Sequence, residues 1–209
     1  QRGDIGGGYA SKRVDYAPEL CVQKATEFIT QPRSTPFFLY FAPTLPHANN
    51  EAARMTGNGS EVPSWSDYSD QAWHVNTKQY AAMVTYLDTI VGRIVDQLKR
   101  LGLEENTLII FTSDNGPQQE SSHDNALFSP NGGLRGMKRA LYEGGIRVPM
   151  ICTWPAQIES HTVSDHIGYA GDIFNTLADL TGDPVDLDVQ PEIDSTSPSD
   201  EGNASATPT

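Results

Sequence analysis

The chain has 209 residues, of which 37% are hydrophobic and 20% are charged, a composition compatible with one sizeable packed domain. Lys and Arg number 14 against 27 Asp and Glu, and the net charge of −13 argues against nonspecific binding to nucleic acid or to anionic membranes. No apolar run approaches the ~20 residues that cross a bilayer, so we expect no membrane span.

The N-terminal part of the sequence predicts a loose lead-in, one helix and one strand. Residues 1–17 are polar and contain three consecutive glycines, which predicts no regular element there. Pro18 and Glu19 open a helix pattern that continues to Ile29, with the proline in the first turn, where it is tolerated. The run FFLYFA at residues 37–42 is continuously apolar, which is typical of a strand buried on both faces.

A long polar segment precedes the longest predicted helix. Residues 43–76 are polar and contain Gly and Pro, and loops of this length in compact domains are usually functional or disordered. From about residue 78 to residue 101, apolar residues then recur at three- and four-residue steps along one helix face. They are Tyr80, Met83, Val84, Leu87, Ile90, Val91, Ile94, Val95, Leu98 and Leu101. Gly102 follows, in the usual place for a left-handed cap.

The remaining elements complete an alternating pattern. Strands are predicted at residues 107–112 (TLIIFT) and 148–154 (VPMICTW), and a helix at residues 172–180. Strands that alternate with helices, each strand an unbroken apolar run, predict an α/β fold with a mostly parallel sheet flanked by helices over residues 18–182. Residues 183–209 are acidic and rich in Ser, Pro and Thr, so we expect a disordered tail.

Candidate functional side chains follow the strand ends, where ligands bind in parallel α/β sheets. The first such loop carries His47, the second carries Asp114 and Asn115 in SDNGP, and a third region carries Lys138. A carboxylate and an amide carbonyl suit Ca²⁺ or Mg²⁺, although Asp-Asn-Gly-Pro also makes a good turn without a metal. A cation, an ammonium and an imidazole together would suit a tetrahedral anion in transfer chemistry. These residue types do not distinguish sulfate from phosphate.

Three segments resemble the sulfatases of the alkaline-phosphatase superfamily. They are FFLYFAPTLPHANNE, IIFTSDNGP and LRGMKRALYEGGIRVPMI. They occur in the family's order within residues 15–182, and the DNG segment gains specificity from the K-x-x-x-Y-E-G-G-x-R-x-P pattern behind it. The resemblance implies an incomplete alkaline-phosphatase-like sulfatase catalytic domain. It also implies hydrolysis of sulfate esters, with a sulfated small molecule or glycan as the substrate.

The resemblance assigns roles to individual residues. Asp114 and Asn115 would be ligands of one Ca²⁺ ion. Lys138 would contact the sulfate group and the bridging oxygen, and His47 would hold sulfate and protonate the leaving alcohol. His123, in ESSHDN, would lie in a loop that faces the site and contact the substrate.

The family's nucleophile is missing from these residues. It is a formylglycine made from the Cys or Ser of a C-x-P-S-R segment, and its hydrated aldehyde attacks sulfur. Neither that segment nor the family's Asp-Asp metal pair occurs in the 209 residues, so both are expected upstream and the chain alone is expected to be inactive. Cys21 lies on a predicted helix and Cys152 in a predicted core strand, and we interpret both as buried thiols.

Two other functions remain open. A phosphate or phosphonate ester hydrolase of the same superfamily would bind two transition-metal ions, but the five histidines show no metal-ligand spacing. A noncatalytic calcium-binding remnant would explain the missing nucleophile, but it gives no reason for Lys138 and His47.

Two further expectations concern the chain's surroundings. The resemblance implies export, to a periplasmic, extracellular or lysosome-like compartment, and Asn58-Gly59-Ser60 and Asn203-Ala204-Ser205 fit the glycosylation sequon. Without the family's first strands, the sheet would have an open edge and an exposed apolar face, so we expect the chain alone to be poorly soluble or molten.

Overall fold

The structure, a computed structural model, describes residue 10 and residues 12–182. They belong to two compact units, the first ending at His161 and the second beginning at Thr162. The helices of the described part are α1 (Ala17–Thr30), α2 (Asn50–Thr56), α3 (Val75–Arg100), α4 (Asn125–Phe128), α5 (Glu143–Ile146) and α6 (Ala170–Thr181), and its strands are β1 (Ile109–Thr112) and β2 (Met150–Thr153). The predicted tail at residues 183–209 and most of the predicted lead-in lie outside the described residues.

Helices α1 and α3 form the core of the first unit. Val22 of α1 is buried together with Leu45 and with Met83 and Ile90 of α3. Both helices confirm the periodicity of the sequence, and α3 ends before Gly102, whose φ of +67° is left-handed as expected for a cap. The helix predicted at residues 172–180 is confirmed as α6.

The two strands confirm the predicted positions but not the predicted direction. β1 and β2 pair antiparallel, with Ile110 opposite Cys152 and Thr112 opposite Met150. Within the described residues, their connection carries only a 3₁₀ turn at Glu120–Ser122 and the one-turn helices α4 and α5, and it lacks the long helix that usually forms a parallel crossover. Every residue of β2 is exposed. An apolar run of this kind predicts a strand buried on both faces, but the described residues cover neither face of β2.

The predicted strand at residues 37–42 is not formed within the described residues. Its side chains alternate rather than being buried on both faces. Phe37 and Phe41 are half-buried, and Phe37 packs edge-on against Phe28 of α1 with ring centroids 5.9 Å apart. Phe38 is 69% exposed and Tyr40 is 82% exposed. The prediction of two buried faces is therefore wrong for these residues, because no neighbouring strand covers the second one.

Two other predictions from the sequence need correction. Both cysteines are exposed, so the interpretation as buried thiols is wrong. Cys21 lies beside the buried face of α1, which Pro18, Val22, Ala25 and Ile29 form. The long segment at residues 43–76 is not wholly a loop, because it contains α2 and a 3₁₀ turn at Ser66–Tyr68.

Candidate active site

Backbone hydrogen bonds join the loop that follows β1 to the loop that carries Lys138. The amide N–H of Gly116 donates to the carbonyl of Gly145 at 2.9 Å. The amide N–H of Lys138 donates to the carbonyl of Pro117, also at 2.9 Å. The Asp-Asn pair and the lysine, about two dozen residues apart in sequence, therefore lie on adjoining backbone.

Glycines permit this close approach. A β carbon on Gly116 would lie 2.1 Å from the carbonyl oxygen of Gly144. One on Gly144 would lie 2.0 Å from the carbonyl oxygen of Gly136, and one on Gly145 would lie 2.1 Å from that of Ala140. Each obstacle is backbone, which cannot move aside as a flexible side chain can. The glycines of the sequence motif thus allow the two loops to pack.

Asp114 and Asn115 lie at this junction with unengaged side chains. Asp114 is exposed and Asn115 is half-buried. Within the described residues, neither side chain makes a hydrogen bond or an ion pair, and only the carbonyl of Asn115 is used, as acceptor for the Ser113 hydroxyl at 3.0 Å. Two hard oxygen donors are thus free side by side, a set that fits Ca²⁺ as part of a larger ligand sphere.

Lys138 is half-buried, and its ammonium group has no partner among the described residues. The next residue, Arg139, forms an ion pair with Glu120, in which the guanidinium lies 2.9 Å from a carboxylate oxygen. Arg139 adopts a φ of +75°, a conformation that residues other than glycine rarely adopt. The lysine is therefore held by its backbone while its charge stays available to a ligand.

His47 lies on the third segment, with its ring exposed. Nδ1 lies 2.6 Å from the carbonyl oxygen of Ala48, and because a carbonyl can only accept, Nδ1 carries the hydrogen. Nε2 is then the atom that can accept or donate a proton toward a ligand. The segment reaches the loop after β1 through the side chain of Gln118, whose Nε2 donates to the carbonyl of Pro46 at 3.0 Å.

His123 is placed differently from the other predicted residues. It is 5% exposed and stacks on Tyr80 with ring centroids 3.8 Å apart and an interplanar angle of 9°. Its Nδ1 lies 3.0 Å from the carbonyl of Glu120, and its Nε2 is buried without a partner among the described residues. Ser121 and Ser122, with φ of +66° and +55°, turn the loop so that the histidine points inward.

A buried polar network behind the site was not predicted. Asn76, at the start of α3, donates from Nδ2 to the carbonyls of Gly57 and Ser121 at 3.0 and 2.8 Å. The Ser121 hydroxyl accepts from the amide N–H of Gly59 at 2.6 Å and from the hydroxyl of Ser60, which is 1% exposed. These contacts join residues that are far apart in the chain, and no spacing pattern in the sequence indicates them.

The glycosylation sequon at Asn58 is part of this network. The Asn58 side chain donates from Nδ2 to Oε1 of Gln79 and accepts from the amide N–H of Ser60 at 2.9 Å. Both polar positions of the sequon are therefore engaged in the fold.

Within the described residues, no three His, Cys, Asp or Glu side chains cluster closely enough to hold a metal ion by themselves. Asp114 and Asn115 can therefore supply only part of a calcium site. None of the helices in that part of the chain combines the length and apolar content that crossing a membrane requires.

Comparison with known proteins identifies the class. The sulfatase family model matches residues 7–183. An N-acetylgalactosamine-6-O-sulfatase of Bacteroides thetaiotaomicron is 29% identical over 199 residues, covering 90% of this chain and 35% of that protein. The N-acetylgalactosamine-6-sulfatase of Mus musculus is 34% identical over 166 residues, covering 78% of this chain and 29% of that protein.

A solved structure agrees with these matches. The crystal structure of Ps i-CgsB in complex with k-i-k-neocarrahexaose superposes with a TM-score of 0.69 at 29% identity, covering 85% of this chain and 37% of that one. The fold is thus that of the alkaline-phosphatase-like hydrolytic enzymes, in which helices flank a central sheet. Within that class, the chain belongs to the sulfatase family. It spans about a third of the length of the curated relatives it matches.

Proposed function

We propose that the protein containing this sequence is a sulfuric ester hydrolase. The observation that carries the proposal is the rim formed by the loop after β1 and the Lys138 loop. There, a carboxylate, an amide and an ammonium, each without a side-chain partner among the described residues, lie on backbone that is hydrogen-bonded together, in a chain of the sulfatase family. Because the backbone that carries these groups is fixed before a ligand arrives, it does not need to reorganise as charge develops.

Lys138 and His47 would act on different oxygens of the ester. The ammonium of Lys138 would bind the nonbridging oxygens of sulfate and reach the bridging oxygen, where negative charge builds as the S–O bond breaks. His47, protonated at Nε2, would give that proton to the departing alcohol, while its Nδ1–H stays on the Ala48 carbonyl. Of the two ring nitrogens of His123, Nε2 is the one without a partner among the described residues, so a contact with the substrate would use that atom.

Asp114 and Asn115 would hold one calcium ion together with ligands from other parts of the protein. A bound Ca²⁺ would supply positive charge to the sulfate oxygens. Because the chain contains no C-x-P-S-R segment, we propose that the reacting formylglycine comes from another part of the protein and that this chain alone is inactive.

A sulfated carbohydrate is the substrate class that we propose. The two N-acetylgalactosamine-6-sulfatases and the structure with a bound neocarrahexaose support this choice, since these names refer to sugars. We also propose that the protein is exported, because sulfated polysaccharides occur mainly outside cells.

The test is turnover by the full-length protein that contains this sequence, with a sulfated monosaccharide and the matching phosphate ester. We expect release of sulfate, loss of activity on calcium chelation, and a kcat/KM reduced roughly 100-fold or more by Lys138→Ala. Lys24→Ala is the matched control, since Lys24 is an exposed lysine of α1 whose one ion pair in the described part of the chain is with Glu27. Preferential cleavage of the phosphate ester would overturn the proposal in favour of the phosphatase alternative. A fully inactive protein that still binds calcium would favour a noncatalytic remnant.

A further inference from the structure

Gln118 is a buried amide in the loop after β1, and both ends of the amide are hydrogen-bonded. The residue is 6% exposed. Its Nε2 donates to the carbonyl of Pro46 at 3.0 Å, and its Oε1 accepts from the amide N–H of Glu120 at 3.2 Å. A buried polar group of this kind is favourable only while its partners are present, because a buried donor or acceptor without a partner has lost its hydration and gained nothing in return.

The carbonyl that Gln118 holds belongs to the peptide bond preceding His47. That peptide is planar, so its carbonyl and the N–H of His47 turn together. The N–H is held as well, donating to the carbonyl of Thr44 at 2.8 Å. Two hydrogen bonds therefore fix the orientation of the plane from which His47 extends, and the contact from Nδ1 to Ala48 fixes the ring.

The same short segment, residues 117–120, also holds the Lys138 loop. The carbonyl of Pro117 accepts from the backbone N–H of Lys138 at 2.9 Å. Glu120, whose N–H binds Gln118, places its carboxylate 2.9 Å from the guanidinium of Arg139. Residues 117–120 thus contact both the His47 loop and the Lys138 loop, and Gln118 is the member that bonds the His47 loop, at Pro46.

We propose that Gln118 is a positioning residue, which holds His47 at a fixed place relative to Lys138. This inference rests on the proposed function, in which His47 protonates the leaving alcohol. Gln118 does not touch the substrate in this role. Its effect is confined to the step that His47 performs.

Leaving-group dependence separates this role from simple stabilisation of the fold. A sugar alcohol is a poor leaving group and needs protonation, whereas 4-nitrophenolate departs unaided, and general acid catalysis contributes about 10²–10⁴-fold only where it is needed. In the full-length protein, we expect Gln118→Met to lower kcat/KM for a sulfated monosaccharide at least about 10-fold more than for 4-nitrophenyl sulfate. Gln118→Glu, which keeps an acceptor for Glu120 but loses the donor to Pro46, should show the same preference.

Gln31→Met is the control, because Gln31 is an exposed glutamine after α1 whose side chain makes no hydrogen bond within the described residues. We expect it to leave both substrates unaffected. Equal losses on the two substrates in both Gln118 variants, with a lower thermal midpoint, would show a structural role only and overturn the inference. Unchanged kinetics would overturn it as well. If the unsubstituted protein cleaves neither sulfate, the proposed function itself fails, and the inference fails with it.

Discussion

Gly145, in the one-turn helix α5, lies tightly against the backbone of the Lys138 loop. A β carbon there would lie 2.1 Å from the carbonyl oxygen of Ala140 and 2.6 Å from that of Met137, distances that no relaxed structure contains. Its own carbonyl accepts the hydrogen bond from Gly116 that joins the loops. A side chain at this position would therefore push α5 away from the Lys138 loop and disturb the hydrogen bond from Gly116 that joins the two loops.

We expect Gly145→Ala to lower the free energy of unfolding of the full-length protein by about 2 kcal/mol or more, in the range of overpacking substitutions. Gly92→Ala is the matched control, because Gly92 lies inside α3 with nothing within 4 Å of its would-be β carbon. That substitution should instead stabilise the protein by roughly 0.5–1 kcal/mol, from helix propensity. Denaturant unfolding measures both. Equal effects of the two substitutions would show that the Gly145 contact is not tight in solution.

Residue types at strand ends were sufficient to select Asp114, Asn115, Lys138 and His47 from the sequence. Whether these residues act in catalysis is still a prediction, but the structure places the first three on adjoining backbone. Gln118 was not selected, because nothing local distinguishes a glutamine that will be buried from the exposed one beside it. Its importance depends on a hydrogen bond to a residue 72 positions away in the chain.

At the scale of elements, a charged cluster joins α1 to α3. The Arg93 guanidinium donates two hydrogen bonds to the Glu19 carboxylate, at 2.6 and 3.0 Å, and the Tyr86 hydroxyl donates a third at 2.6 Å. These hydrogen bonds lower the pKa of Glu19 from 4.5 to about 2, and the bonds from Arg93 have the largest effect. Burial, and then the bond to Glu19, raise the pKa of Tyr86 to about 12.

This cluster predicts a loss of stability in acid. Because the pKa of Glu19 is lower in the folded state than in the unfolded state, its contribution is complete above pH 4.5 and is lost as the pH falls toward about 2. We expect the unfolding midpoint of the wild type to fall more over this range than that of Glu19→Gln. The difference should be modest, since both charged side chains are about one-third exposed and solvent screens them.

Glu27→Gln is the control for this measurement. It removes a carboxylate of the same helix that pairs with Lys24 at an exposed site. Its acid-dependent loss should match that of the wild type. Identical curves for the wild type and Glu19→Gln would show that the cluster does not stabilise the helix pair.

Helices and strands differed in how well their sequences predicted them. The sequence of helix α3 is enough to predict it, because its buried residues recur along one face. Val84 and Leu101 of the predicted face are nevertheless 45% and 40% exposed. A strand depends on its neighbours. The apolar run at residues 37–42 predicted a strand, but strand pairing and burial require neighbouring segments that the run itself does not specify.

At the scale of the whole molecule, apolar surface is exposed where a catalytic domain would have its core. Phe38 and Tyr40 are 69% and 82% exposed, and Met150 and Ile151 of β2 are 55% and 60% exposed. In a protein that spans the full length of its relatives, we expect residues 37–42 and β2 to be covered. In the isolated chain they offer unpaired backbone and apolar side chains to other copies.

We therefore expect the isolated chain to self-associate and to lack a cooperative melt. Size-exclusion chromatography with light scattering and near-UV circular dichroism measure this. Phe38→Ser combined with Tyr40→Ser should reduce association, whereas Val14→Ser, at an exposed position before α1, should not. A monomer with sharp near-UV bands and a cooperative melt would contradict the prediction.

The buried sequon has a consequence for the timing of biosynthesis. Ser60 is 1% exposed and Asn58 is bonded to Gln79, so a transferase cannot engage this site once residues 57–60 have packed. A glycan attached earlier, on Nδ2 of Asn58, would stand where that nitrogen bonds Gln79. In a cell that glycosylates its exported proteins, sugar transfer at Asn58 and closure of the loop are therefore competing events, and only chains in which closure comes first reach the fold described here.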